Sequence, residues 1–93
     1  MIRRESAQIL GLQALAFVAA DEDLLLPFLA QSGLGAGELR DRAEDPDLLG
    51  AVVDFLLAED ARVLAFAAAA GIAPAEVPAL RAALPGGDVP HWT

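Results

Sequence analysis

"FLAQSGLG", residues 28–35, has a partner in "FAAAAGIA", residues 66–73. In each, a phenylalanine is followed five residues later by a glycine and then by a branched apolar residue. The phrases lie 38 residues apart, and the correspondence extends outward from them. "ILGLQALAFVAADEDLLLPFLAQSGLGAGEL" aligns with "DLLGAVVDFLLAEDARVLAFAAAAGIAPAEV", with identities at Leu10/Leu48, Phe17/Phe55, Ala20/Ala58, Leu26/Leu64, Phe28/Phe66, Ala30/Ala68, Gly33/Gly71 and Glu38/Glu76. In a chain rich in alanine and leucine some matches arise by chance. The phenylalanine and glycine matches are rarer types, and all four phenylalanines are used, two per copy.

Each copy reads as three helices. The first, about residues 5–20 and 46–58, is apolar around most of its circumference, as a central helix should be. Asp45-Pro46 marks a start, the carboxylate accepting from free backbone N–H groups and the proline suiting the first helical position. The second, about 22–32 and 60–70, begins at acidic residues and ends at Gly33 or Gly71. Glycine takes the left-handed conformation that ends a helix, and the following Leu34 or Ile72 packs back on the last turn. The third helix is short in copy one, about 36–43, and longer in copy two, about 74–84, with Pro74 in its first turn. Pro27 is expected within the first turn of the second helix, where its missing N–H costs nothing.

The fold class that follows is all-α: a compact bundle of five or six short helices, a tandem duplication of a helical unit of about 38 residues. Copy one covers about 5–43 and copy two about 46–84 of a single domain, 1–85, and residues 86–93 form a flexible tail. Solenoid arrays need about three repeats or more for stability, so two copies are expected to bury their apolar faces on each other about a pseudo-twofold axis. The expected core is Leu10, Leu15, Phe17, Val18, Leu25, Phe28, Leu29, Leu34 and Leu39 with Leu48, Leu49, Val52, Val53, Phe55, Leu56, Leu64, Phe66 and Ile72.

Composition narrows the function classes. The 93 residues hold one small core, and 56% are apolar, above the roughly 45–50% usual in globular domains. The net charge is −8, which argues against nucleic acid, because a phosphate backbone is gripped by clustered cations. The only basic doublet is Arg3-Arg4, beside Glu5. Acidic groups gather at Asp21-Glu22-Asp23, at Glu44-Asp45 with Asp47, and at Glu59-Asp60, where helix dipoles favour negative charge. There is no cysteine and no lysine. Residues 1–21 have the outline of a secretory signal, with two arginines and Val18-Ala19-Ala20. Glu5, Gln8 and Gln13 interrupt it, and helix-start residues follow at once, so the stretch is expected to be a helix of the fold. No apolar run approaches the ~20 residues that span a bilayer, and no membrane association is expected.

The pattern "ALAF-x-AADED-x₄-FL-x₃-GL", followed by "AVVDFLLAED-x₄-AFAAAAGI-x-P-x-EV", resembles the bacterial domain-of-unknown-function family three-five-seven-two. The resemblance covers about residues 6–84. It implies a small acidic all-helical protein of α-proteobacterial type with a cytoplasmic address, and it brings no activity, cofactor or catalytic residue. The family pattern places an Asp before the third-helix proline, where this chain has Ala73, which implies a weaker cap.

Catalytic chemistry finds little support. Acid–base and nucleophilic mechanisms need convergent ionisable groups, and cysteine, lysine and tyrosine are all absent. The only histidine, His91, follows a Gly-Gly break near the end of the chain. Calcium loops need oxygen ligands alternating over about twelve residues, and "DEDLLLPF" turns apolar after three. Ser32 in "AQSGLG" lacks the acid that precedes the prosthetic serine of acyl carriers. No cofactor or metal is expected.

Three residues stand out as possible partner contacts. Asp54 interrupts an apolar helix and shares a face with Asp47, Gly50, Ala51 and Ala58. That face either meets solvent or admits another helix, with Asp54 answering Arg62 or an arginine from a partner, and Ala16 is expected on the equivalent face of copy one. His91 and Trp92 lie in the tail "GGDVPHWT", which either frays or anchors a partner through the tryptophan. The expected function is a small acidic protein-interaction module or adaptor without catalytic activity, binding an unidentified protein or a second copy of itself. The alternative is a small-ligand or lipid-binding protein with a cavity between the two copies.

Overall fold

The computed structural model describes residues 3–85; the tail residues His91 and Trp92, and with them the expected flexible segment, lie outside the described residues. Among the described residues there are six helices and no strand: α1 (Arg4–Ala19), α2 (Glu22–Ser32), α3 (Ala36–Asp41), α4 (Pro46–Leu57), α5 (Asp60–Ala70) and α6 (Glu76–Ala83).

Start and stop chemistry sets these boundaries. The Asp21 carboxylate accepts from the N–H of Asp23 at 3.0 Å, and that of Asp45 from the N–H of Asp47 at 2.9 Å, satisfying donors that the first turn leaves free. α2 and α5 end at Gly33 and Gly71, with φ of 75° and 73°. Both glycines face open space, so their conformation and not crowding selects the residue type. After α5 the N–H of Ile72 returns to the carbonyl of Ala67 at 3.0 Å, a Schellman closure. After α2 the N–H of Leu34 goes instead to the Ser32 hydroxyl at 3.2 Å.

Helix α1 crosses α4, and this contact is the largest between any two described helices. A Cβ on Gly11 would sit 3.1 Å from the Cβ of Leu49, so glycine is what lets the backbones approach. Ala7, Ala14, Leu15 and Val18 of α1 face Leu49, Val52, Val53 and Leu56 of α4 in the core. Two edge-to-face aromatic pairs flank it: Phe17 with Phe66, centroids 5.7 Å apart, and Phe28 with Phe55, 5.4 Å apart. No polar or charged residue is buried among the described residues.

Several expectations are corrected. Leu64 is 57% exposed and outside the core: the buried face of α5 runs through Val63, Phe66, Ala67 and Ala70, and Leu64 falls about 100° off it. Pro27 lies past the first turn of α2, which begins at Glu22; without an N–H it leaves the carbonyl of Asp23, an exposed residue, without its helical donor. Pro74 precedes α6, which begins at Glu76 after a tight turn in which the N–H of Glu76 bonds to Ala73 and that of Val77 to Pro74.

Candidate interaction surface

The second half is finished by arginines. Arg81, on α6, places its Nε 2.7 Å from Asp54 on α4, and its Nη1 donates to the carbonyl of Pro85 at 3.1 Å. Its guanidinium lies on Gly50, where a Cβ would come within 2.9 Å of Nη1. One face of α4 is therefore occupied by an arginine from its own chain. Arg62 lies 3.9 Å over the Phe55 ring, donates to the Phe55 carbonyl at 2.9 Å and pairs with Glu59 at 2.9 Å. That carbonyl belongs to the last turn of α4, where the dipole favours a cation.

Asp54 thus finds a partner, and it is Arg81, not Arg62. Asp47, Ala51 and Ala58 on the same face are exposed, Gly50 is covered, and Ala16 on α1 is exposed. Between this face and α2 runs a shallow groove of about 260 Å³, bordered by Phe28, Gln31, Ser32, Ala51 and Asp54.

The first half has a more apolar groove, about 310 Å³, between α1, α2 and α3. Leu15 and Ala19 come from α1, Leu25 from α2, and Ala36 and Leu39 from α3; Ala43 closes one end and Arg40 stands at the side. Leu26, the neighbour of Leu25, is 60% exposed. A larger cleft of about 450 Å³ lies where Arg4 and Gln8 approach Pro46 and Ala82–Pro85; its walls are mixed polar and apolar, and it is open to solvent.

The ionisable groups are dispersed. No cluster of three His, Asp or Glu side chains able to hold a metal occurs among the described residues. At Asp45 the Arg42 guanidinium hydrogen-bonds the carboxyl, and the backbone N–H of Asp47 adds to this, holding it below its ordinary value. No described helix is long and apolar enough to cross a membrane.

With this geometry in place, the chain compares with one family. Residues 4–87 match the family model described as "Protein of unknown function (DUF3572)". The chain belongs to that family. No curated protein and no solved structure gives a significant match.

Two residues of this DUF3572 chain escaped the reading of its sequence. Arg81 is 27 residues from Asp54, and no local spacing links them. Arg40 sits beside the groove only because α3 folds over α1 and α2. The available signal was the 38-residue offset in the sequence: Leu57 and Arg81 stand 38 residues after Ala19 and Ala43, with larger side chains at both places.

Proposed function

We propose that this chain acts by binding, without catalysis, as a small acidic protein-interaction module or adaptor. The observation that carries the reading is the open groove between α1, α2 and α3, apolar along its walls and large enough for one or two side chains of a partner. Its counterpart in the second half has Leu57 and Arg81, both partly buried, where the groove has Ala19 and Ala43. The partner is a protein and not a nucleic acid, since a net charge of −8 repels phosphate. The same reading places the chain in the cytoplasm.

We read the architecture behind this as a doubled helical unit. The support is reciprocal: Phe17 meets Phe66 while Phe55, its counterpart, meets Phe28, the counterpart of Phe66. The α1–α4 crossing likewise brings together Gly11 and Leu49, positions 38 apart. Glu38 Oε1 accepts from the N–H of Gly35 at 3.0 Å, and Glu76 Oε2 from the N–H of Ala73 at 2.7 Å, the same reach one repeat later. The second supplies a cap at Ala73 from the glutamate side, although Ala73 itself has no side-chain acceptor. The ligand-binding alternative would use the 450 Å³ cleft at the ends of α1 and α6; the close Gly11–Leu49 approach leaves the α1–α4 crossing itself filled.

The test fills the groove with the residues its twin carries. Tagged wild-type chain and the Ala19→Leu/Ala43→Arg double variant are used for affinity capture from the native cells, with thermal unfolding as a folding control. A protein held by the wild type and lost by an equally stable variant supports the reading. Identical captured sets contradict it.

A further inference from the structure

The partner of the groove can be read from the chain's own surface. Leu26 stands 60% exposed on α2, immediately beside Leu25, which forms one groove wall. One turn earlier on the same face is Glu22. Neither Glu22 nor Arg40, at the groove's side, is in an ion pair among the described residues. An apolar knob with an acid beside it and an apolar groove with a base beside it therefore occupy neighbouring parts of one surface.

We propose that the occupant is a second copy of this chain: Leu26 of each copy enters the groove between α1, α2 and α3 of the other, and Glu22 of each pairs with Arg40 of the other. Knob and groove share α2, so one twofold rotation satisfies both contacts at once and closes the assembly as a dimer. Leu64 is as exposed as Leu26 and has Asp60 one turn before it, yet α5 contributes no wall to the groove. Its knob and the groove would not form one continuous patch, and Leu64 is left out of the proposed interface. The apolar contact supplies affinity and the paired charges fix register. This inference rests on the reading of the groove as a binding site and names its partner.

The test is sedimentation equilibrium of the purified full chain from micromolar to several hundred micromolar at about 0.15 M salt, where charges beyond ~8 Å are screened. The wild type is expected to dimerise reversibly. Leu26→Ala and Arg40→Glu are each expected to raise the dimer dissociation constant about tenfold or more. Combining Arg40→Glu with Glu22→Arg should recover most of that loss, and Leu64→Ala should leave the constant unchanged. All of these side chains are exposed, so helical content should match the wild type, as should melting at concentrations low enough that every chain is monomeric. A chain monomeric at every concentration overturns the proposal; so does a dimer indifferent to Leu26→Ala, or a charge swap that recovers nothing. In the monomeric case the groove-filling capture experiment still decides whether a different protein binds, so the two readings fail separately.

Discussion

In the first half of the chain, α3 is six residues long and packs only slightly on the other helices, leaving a groove beside it. In the second half, α6 is eight residues long, packs on both α1 and α4, and buries Val77 and Leu80 completely. The counterpart of Leu80 is Arg42, which faces solvent and pairs with Asp45. The first two helices of each half run alike: α2 and α5 are both eleven residues long and both end at a left-handed glycine. The two halves thus share their inner frame and diverge at their third helix. The contact between the halves centres on the α1–α4 crossing, the largest between any two described helices. The third helices differ in placement: α6 reaches across to α1 as well as packing on α4, whereas α3 packs only slightly and leaves its side open.

The sharpest way to break this comparison is at the third helix. Leu80→Ala should destabilise the fold by about 2–5 kcal/mol, as fully buried leucines do, while Arg42→Ala at the matching position should change stability far less. Urea unfolding measures both, and equal losses would dissolve the distinction. The next effect tests likeness instead. Gly33→Ala and Gly71→Ala each force a Cβ into the left-handed region at a site with no crowding, and each should cost about 1–2 kcal/mol. Values differing by more than a factor of two would show that the two helix ends are not equivalent.

Smaller effects concern the arginine that closes the second half. Asp54→Ala should cost no more than about 1 kcal/mol, because the carboxylate is more than half exposed and screened by salt. Arg81→Ala should cost more than Asp54→Ala, since it also removes packing over Gly50 and the bond to Pro85. The reverse order would mean that the charge, not the packing, holds α6. The smallest effect is at Asp45, whose carboxyl titrates below its ordinary value of 3.8. A lowered folded value means a stabilisation present above the unfolded value and lost as pH falls through the folded one. Asp45→Asn keeps a capping oxygen but removes the charge, so in urea unfolding wild type and variant should differ at pH values above the ordinary carboxylate range and draw together as pH falls through the lowered folded value.

The inner frame was legible because local chemistry fixes it. Residues 22–32 and 60–70 were delimited by acidic starts and terminal glycines, and α2 and α5 have those bounds. The branched residues of α4 declared its burial on both sides. What was not legible depends on tertiary placement. Ala7, Ala14 and Ala67 are fully or almost fully buried, yet alanine suits core and surface equally, so composition gives no hint of which alanines lie inside. Val77, Leu80 and Leu84 went unassigned because a proline beside a short helix conceals its apolar stripe. For Asp54 the sequence left open a solvent face or an arginine partner such as Arg62; Arg62 engages Phe55 and Glu59, and Arg81 pairs with the half-exposed Asp54. The groove was invisible in either copy alone and emerges only when Ala19 and Ala43 are set beside Leu57 and Arg81.

The claim on which the rest stands is that a phenylalanine on the first helix of each half packs on a phenylalanine from the second helix of the other. Aromatic nuclear Overhauser contacts in the labelled chain test it directly, since four phenylalanines give few and separable signals. The account predicts two ring-to-ring contacts, Phe17 with Phe66 and Phe28 with Phe55, and none between Phe17 and Phe28 or between Phe55 and Phe66. Contacts within each half in place of those between halves would contradict it.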